Sequence, residues 1–188
     1  KALYPYDVSK ACGDMIARSY ASDLYNLPVV VTRFSNIFGP GQLNFSALVP
    51  DAIRSALGYS QFIPRGDGTN LRDFLYIEDV VSLYIIIGKE LADKPSQYSG
   101  EVFNAGTNSP TTVESILNSV FRIIGNESDL INIKKQMKLN STKGEIDYQY
   151  MDYDKAYNHF KWKPSTALNE GLQNSIVWYK NYFNDRYS

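Results

Sequence analysis

The chain has 188 residues, 44% hydrophobic and 21% charged, enough for one ordinary domain or slightly more and for a sizeable apolar core. Nineteen basic against 20 acidic side chains leave a net charge of -1, which excludes the global field that draws a protein to nucleic acid or anionic lipid. No run approaches the roughly 20 continuous apolar residues of a membrane span, so a soluble protein is expected, and any anionic ligand has to be held by a few placed cations.

The chain opens on Lys-Ala-Leu without the apolar run of a signal peptide, and Cys12 has no second cysteine to pair with. A cytoplasmic protein is therefore expected. Cys12 reads more readily as a small buried hydrophobe than as a nucleophile, because no histidine is near it in sequence. Between residues 6 and 26 only Gly13 interrupts good helix formers, and Val8, Ala11, Cys12, Met15, Ile16 and Tyr20 recur at three-and-four spacing. That periodicity predicts a helix stopping before Asn26-Leu27-Pro28. Val29-Val30-Val31-Thr32-Arg33-Phe34 follows as a β-branched run of the kind buried in a parallel sheet. After the loop Phe38-Gly39-Pro40-Gly41-Gln42, residues 46–57 give a second helix with Leu48, Val49, Ala52, Ile53 and Leu57 on one face.

Gln61-Phe62-Ile63-Pro64 predicts a short strand closed by the turn Gly66-Asp67-Gly68. A strand over 71–77 and a helix over 78–91 come next, the helix opening on an acidic first turn that suits its dipole. Glu101-Val102-Phe103-Asn104 predicts a strand. Thr111 with Glu114 reads as a capping box for a helix over 112–124. Residues 126–150 are polar and carry no predicted element; 152–160 and 167–183 predict the last two helices, divided by Trp162-Lys163-Pro164. The alternation of strands and helices is α/β. His159, the only histidine, stands in no carboxylate pattern that would suggest a metal site, and no metal is expected.

Tyr6 and Lys10 are four apart on the first predicted helix, which places both on one face. Tyrosine is a poor base at neutral pH because its unperturbed pKa is about 10; a neighbouring ammonium favours the phenolate, so Tyr-x-x-x-Lys can serve as a general base. In a chain with 15 tyrosines such a pair also arises by chance. That tyrosine count, within 14% aromatics, suits contacts to flat or sugar-like ligands or to a second copy, beside plain core and surface filling.

The wider pattern goes further. Pro5-Tyr6-Asp7-Val8-Ser9-Lys10-Ala11, then Leu27-Pro28 through Arg33-Phe34-Ser35-Asn36-Ile37-Phe38-Gly39-Pro40-Gly41, resembles the extended short-chain dehydrogenase/reductase family of NAD-dependent nucleotide-sugar epimerases and dehydratases. Arg72-Asp73-Phe74-Leu75-Tyr76-Ile77-Glu78-Asp79-Val80 after Gly66-Asp67-Gly68, then Phe103-Asn104-Ala105-Gly106-Thr107, match it in order. So do Phe160-Lys161-Trp162-Lys163-Pro164, Glu170-Gly171-Leu172 and Trp178-Tyr179. Within the family, Leu43-Asn44-Phe45-Ser46 before Leu48-Val49-Pro50-Asp51, with Glu145, Gln149, Asp152 and Lys155-Ala156 further on, is most similar to the CDP-glucose 4,6-dehydratase branch.

The resemblance implies the C-terminal part of a Rossmann-type parallel sheet joined to a smaller α/β substrate-binding domain. Residues 1–36 would end the NAD-binding domain, 71–106 would return to it, and 37–70 with 107–188 would form the nucleotide-sugar domain. It implies Tyr6 as the base that takes the proton of the sugar C4 hydroxyl, and Lys10 as the residue that favours the phenolate and holds the nicotinamide ribose. Phe34 and Ser35 would lie beside the nicotinamide at the carboxyl edge of the sheet, unless they are ordinary strand-end residues. Asn36 and Arg72 would hold the diphosphate, Arg72 bidentately; its alternative is an ion pair with Asp73 or Asp79. Arg65 would lie along the nucleotide base, and Asn104 near a phosphate or sugar. The implied reaction is C4 oxidation, loss of water across C5 and C6, and hydride return to C6, with 4-epimerisation as the alternative, in a parent that homodimerises through the helix bearing Tyr6.

Two features stand against a self-sufficient enzyme. No Gly-x-Gly-x-x-Gly follows a strand, and the family's catalytic Ser or Thr, like a dehydratase's Asp and Glu, would precede Lys1. Ala47 also stands where some family members carry a cation near the phosphates. A C-terminal fragment is expected, inactive alone, or else a non-catalytic remnant that needs a partner.

Overall fold

Pro5 opens α1 (Pro5–Tyr20), its missing N–H falling where a helix has no carbonyl to offer. The structure, a computed structural model, describes residues 4–140 and 146–187, so Glu145 and the first three residues lie outside the described residues. The first helix ends earlier than its periodicity predicts. Asn26 takes a left-handed φ of 49°, and the Leu27 N–H comes back onto the Tyr20 carbonyl at 3.0 Å. Its apolar stripe also departs from expectation: no residue of α1 is buried among the described residues, Met15 and Ile16 being 61% and 58% exposed. Cys12 is exposed with them.

The predicted buried strand is β1 (Val31–Phe34), parallel to β5 (Val102–Ala105), with Val31 opposite Val102 and Phe34 opposite Ala105. After Ser35 the chain continues as β2 (Asn36–Phe38), parallel to a strand 36 residues on. That partner is only half of the strand predicted over 71–77. The run divides at Asp73 into β3 (Leu71–Arg72) and β4 (Phe74–Tyr76), and the halves join different sheets. Strand β4 pairs with β2, whereas β3 is antiparallel to β6 (Thr111–Thr112) and parallel to β7 (Tyr148–Gln149). The Asp73 N–H donates to the Gln149 carbonyl at 3.1 Å, while the Asp73 carbonyl accepts the Asn36 N–H at 3.0 Å.

Alternation along β4 sets up two cores, since successive strand residues face opposite ways. Phe74 and Tyr76 enter the first with Phe38, and with Ile53 and Ala52 of α2 (Leu48–Ala56). Ile116, Leu117 and Phe121 of α5 (Val113–Ile124) and Leu172 and Tyr179 of α8 (Leu168–Tyr187) complete it. Leu75 enters the second, with Val80, Leu83 and Ile87 of α3 (Ile77–Asp93), Tyr98 of α4 (Pro95–Tyr98), Phe103 of β5, Ala156 of α7 (Asp154–Phe160) and Trp162.

Three local expectations change. Thr112, not Thr111, caps α5, accepting the Ser115 N–H at 3.1 Å, because the helix begins at Val113 and Thr112 stands immediately before it. Residues 61–64 form no strand: the Phe62 N–H donates to Ser55 Oγ at 3.0 Å, the Pro64 carbonyl accepts from Asn140 Nδ2 at 2.9 Å, and Pro64 has no N–H to give a ladder. The polar region contains a helix, α6 (Glu127–Met137), whose narrow stripe Leu130, Ile133 and Met137 reaches the first core.

The stretch between α7 and α8 is pinned to the start of α3. Trp162 Nε1 donates to Ser82 Oγ at 2.9 Å, and the buried Asp79 carboxylate accepts from the Ser165 N–H, the Ser165 hydroxyl and the Thr166 N–H. Helix α7 is tied to β5 by Lys155, whose Nζ donates to Glu101 at 2.5 Å and to the Val102 carbonyl at 2.9 Å.

Two predictions follow from these contacts. A Cβ on Gly171 would stand 2.8 Å from Phe38 Cζ and 2.8 Å from Tyr76 Cδ2, both in the core. Alanine for glycine inside a helix ordinarily stabilises by up to about 1 kcal/mol. Here overpacking dominates, and Gly171→Ala lowers stability by about 1–3 kcal/mol in urea unfolding; a neutral or stabilising result would contradict this packing. The hydrogen bond from Lys155 holds the Glu101 carboxyl below its ordinary value of 4.5. With the folded value depressed, the stability that this pair contributes is present above that ordinary value and is lost as pH falls through the folded one. Lys155→Met moves the Glu101 midpoint up toward 4.5, read by carboxyl-carbon NMR titration; an unmoved midpoint would break the assignment.

Candidate active site

The carboxyl ends of β1 and β2, one face of α1, the start of α2 and the segment from Phe62 to Phe74 enclose a cavity of about 1410 Å³. Such an edge is where open parallel sheets take ligands, because the strands diverge there and leave a crevice between the connections. Tyr6 and Lys10 stand on one wall, carried on adjacent turns of α1. The Lys10 ammonium lies 5.3 Å from the centroid of the Tyr6 ring, over its face. Tyr6 is 69% exposed, so its phenol is open to whatever enters. One turn on, Asp14 forms an ion pair with Arg33 of β1, joining the helix to the sheet.

The strand end contributes Phe34, Ser35 and Asn36. Phe34 packs against Tyr84 at 5.3 Å between ring centroids. The Ser35 hydroxyl is buried and has no hydrogen-bond partner among the described residues. Asn36 is fixed twice to one atom: its backbone N–H and its Nδ2 each donate to the Asp73 carbonyl at 3.0 Å. Arg65 and Arg72 also line the cavity. Arg72 Nη1 donates to the Leu71 carbonyl at 3.0 Å. Asp73 accepts from Thr107 and Met151, and Asp79 from Ser165 and Thr166.

Seven of the eight residues singled out from the sequence thus line one cavity: Tyr6, Lys10, Phe34, Ser35, Asn36, Arg65 and Arg72. Asn104 does not. It lies on β5 opposite Arg33, behind the strand that forms the wall. Ala47 lines the cavity as the residue before α2, and the nearest cation on that helix, Arg54, is paired with Asp51 at 2.7 Å and stacked on Phe45. Sequence reasoning missed Gln42, whose side-chain nitrogen donates to the Ile37 carbonyl at 3.3 Å and whose backbone carbonyl accepts from the Tyr179 hydroxyl. Burial first, then the neighbouring Tyr182, pushes the Tyr179 phenol up, so it remains a donor at any ordinary pH. Asp73 was missed as well, being legible only as a possible partner of Arg72. Among the described residues no group of three or more His, Cys, Asp or Glu side chains comes together, and no helix is long and apolar enough to cross a membrane.

Comparison with known proteins gives a consistent answer. The profile of the family described as GDP-mannose 4,6 dehydratase matches residues 1–175. Human dTDP-D-glucose 4,6-dehydratase is 28% identical over 181 residues, 96% of this chain but 49% of that protein. The crystal structure of dTDP-glucose 4,6-dehydratase from Bacillus anthracis in complex with NAD is 30% identical, with a TM-score of 0.75 over 96% of this chain and 53% of that one. UDP-glucose 4-epimerase from Thermotoga maritima with UDP-glucose is 28% identical, with a TM-score of 0.78 over 97% and 55% respectively. The chain therefore spans about half the length of the relatives it matches, and its α/β fold is of their Rossmann type.

Proposed function

Because this chain belongs to the GDP-mannose 4,6 dehydratase family, within the extended short-chain dehydrogenases/reductases, we propose that it is the catalytic-tyrosine and substrate-binding part of an NAD-dependent nucleotide-sugar 4,6-dehydratase. The observation that carries the reading is the cavity itself. One wall bears a Tyr and Lys pair, and the other walls bear an amide and two guanidinium groups suited to a diphosphate.

In this reading Tyr6 takes the proton of the sugar C4 hydroxyl, and Lys10 stabilises the negative charge left on its oxygen. The orphaned Ser35 hydroxyl and the flat face of Phe34 fit a nicotinamide carboxamide and ring at the sheet edge. Bound NAD supplies a reversible hydride acceptor. Asn36 and Arg72 hold the diphosphate, and Arg65 lies along the base. Asn104, off the cavity wall, is assigned a supporting place beside Arg33 instead of a direct contact. The net change is loss of water, with C4 oxidised and C6 reduced, so no outside oxidant is needed.

For the division into a cofactor part, residues 1–36 and 71–106, and a substrate part, 37–70 and 107–188, the two cores give partial support: the second draws mainly on 75–105 and the first mainly on 38–62 and 116–183, but Ala156 and Trp162 join the second and Phe74 and Tyr76 the first. Homodimerisation is supported by the exposed apolar stripe of α1, and a cytoplasmic setting by the single cysteine. A second reading, 4-epimerisation, is supported by the likeness to the Thermotoga maritima epimerase and uses the same Tyr6 and Lys10.

The test offers CDP-, dTDP- and UDP-glucose and GDP-mannose, each with NAD, to the whole protein that contains this chain. A 4-keto-6-deoxy sugar is expected from one of them, read by mass spectrometry as a loss of 18 Da. Tyr6→Phe lowers kcat by about 10²–10⁴-fold, and Arg72→Ala acts chiefly on KM. A C4 epimer without loss of mass selects the second reading; no turnover of any sugar overturns both.

A further inference from the structure

We infer that Asp73, which lines no part of the cavity, is the positioning residue that sets Asn36 and Arg72 in register for a diphosphate; the inference rests on the nucleotide-sugar reading above. Asp73 is fully buried. Its Oδ2 accepts the Thr107 N–H at 2.9 Å and the Met151 N–H at 3.3 Å, and its Oδ1 accepts the Thr107 N–H at 3.1 Å and also the Thr107 hydroxyl. These donors come from two connections remote in sequence, and the acceptor geometry needs both carboxylate oxygens.

The main chain of Asp73 transmits that fixation to the site. Its carbonyl receives both hydrogen bonds of Asn36, and its N–H is bonded to the Gln149 carbonyl in the sheet that carries Arg72. A rotation of Asp73 therefore moves Asn36 and Arg72 relative to each other, and these two groups belong to different sheets. The surroundings leave no slack. A Cβ on Gly106 would stand 2.2 Å from Asp73 Oδ2 and 2.4 Å from the Met151 carbonyl, so the backbone closes directly over the carboxylate.

A carboxylate that only stabilised the fold would do the same for any ligand, and the chain contains that control. Asp79 is also buried, accepts from two N–H groups and a hydroxyl, and lies with Ser165 and Thr166 away from the cavity.

The experiment compares Asp73→Asn, Thr107→Val and Asp79→Asn in the whole protein, using whichever nucleotide sugar the parent turns over. Asp73→Asn replaces one acceptor by a donor facing N–H groups, and KM for the nucleotide sugar rises about tenfold, with kcat changed less than about twofold. Thr107→Val removes only the hydroxyl and raises KM by roughly threefold, which keeps the test alive if Asp73→Asn does not fold. Asp79→Asn lowers the unfolding midpoint but leaves KM within about twofold. Equal KM in the parent and in both Asp73→Asn and Thr107→Val, or a rise in Asp79→Asn as large as in Asp73→Asn, overturns the inference. A parent that turns over no nucleotide sugar overturns the underlying reading instead.

Discussion

The arrangement depends on one buried residue that has to satisfy two sheets at once. The strand predicted over 71–77 cannot be a single strand, because Asp73 gives its N–H to Gln149 on one side and its C=O to Asn36 on the other. A buried carboxylate left without donors would be costly, and its four acceptor sites draw in Thr107 and Met151. The connections after β5 and after β7 are therefore brought to the same point. The position of the crevice beside Asn36 and Arg72 follows from that convergence.

On either side of the crossing the packing logic is ordinary. Strand β4 sends Phe74 and Tyr76 one way and Leu75 the other, so three residues serve two apolar clusters. Gly171 lets α8 approach Phe38 and Tyr76 closely enough to seal the first cluster. Asp79 and Trp162 clamp the connection between the last two helices to α3 and seal the second. Helix α1 stands outside this scheme. It buries nothing among the described residues, and its polar tie to β1 is the Asp14–Arg33 pair. The helix that bears Tyr6 is thus tied to the sheet by a charge contact and contributes to neither core.

Much of this was legible in the sequence where a local rule decides the outcome. The β-branched run ending at Phe34, the stripe of α5 and the acidic opening of α3 each belong to one element, and each appeared near its predicted place. Tyr6 with Lys10 was legible as a helix-spaced pair and Phe34-Ser35-Asn36 through the resemblance to the family, and all five line the cavity. What failed was decided at a distance. Residues 61–64 have a strand's composition, yet Ser55 and Asn140 take the backbone groups that a ladder would use. Thr111 opens a capping pattern with Glu114, yet the helix starts one residue later, at Val113, and Thr112 is the cap. Nothing near Asn104 in sequence reveals that β1 stands between it and the cavity.

A net charge of -1 does not fix the balance of charge in the cavity. The cavity lining holds Lys10, Arg33, Arg65 and Arg72 against Asp7, Asp14 and Asp51, and two of those three carboxylates are committed to ion pairs with Arg33 and Arg54. The segment from Phe62 to Phe74 gives the lining two arginines and no carboxylate, although Asp67 and Asp73 both belong to it. Asp67 is turned onto Thr69, whose hydroxyl and N–H hold its carboxyl below the ordinary range, and Asp73 is turned onto Thr107 and Met151. Both acids are satisfied by neutral donors, and neither carboxylate faces the crevice beside Arg65 and Arg72.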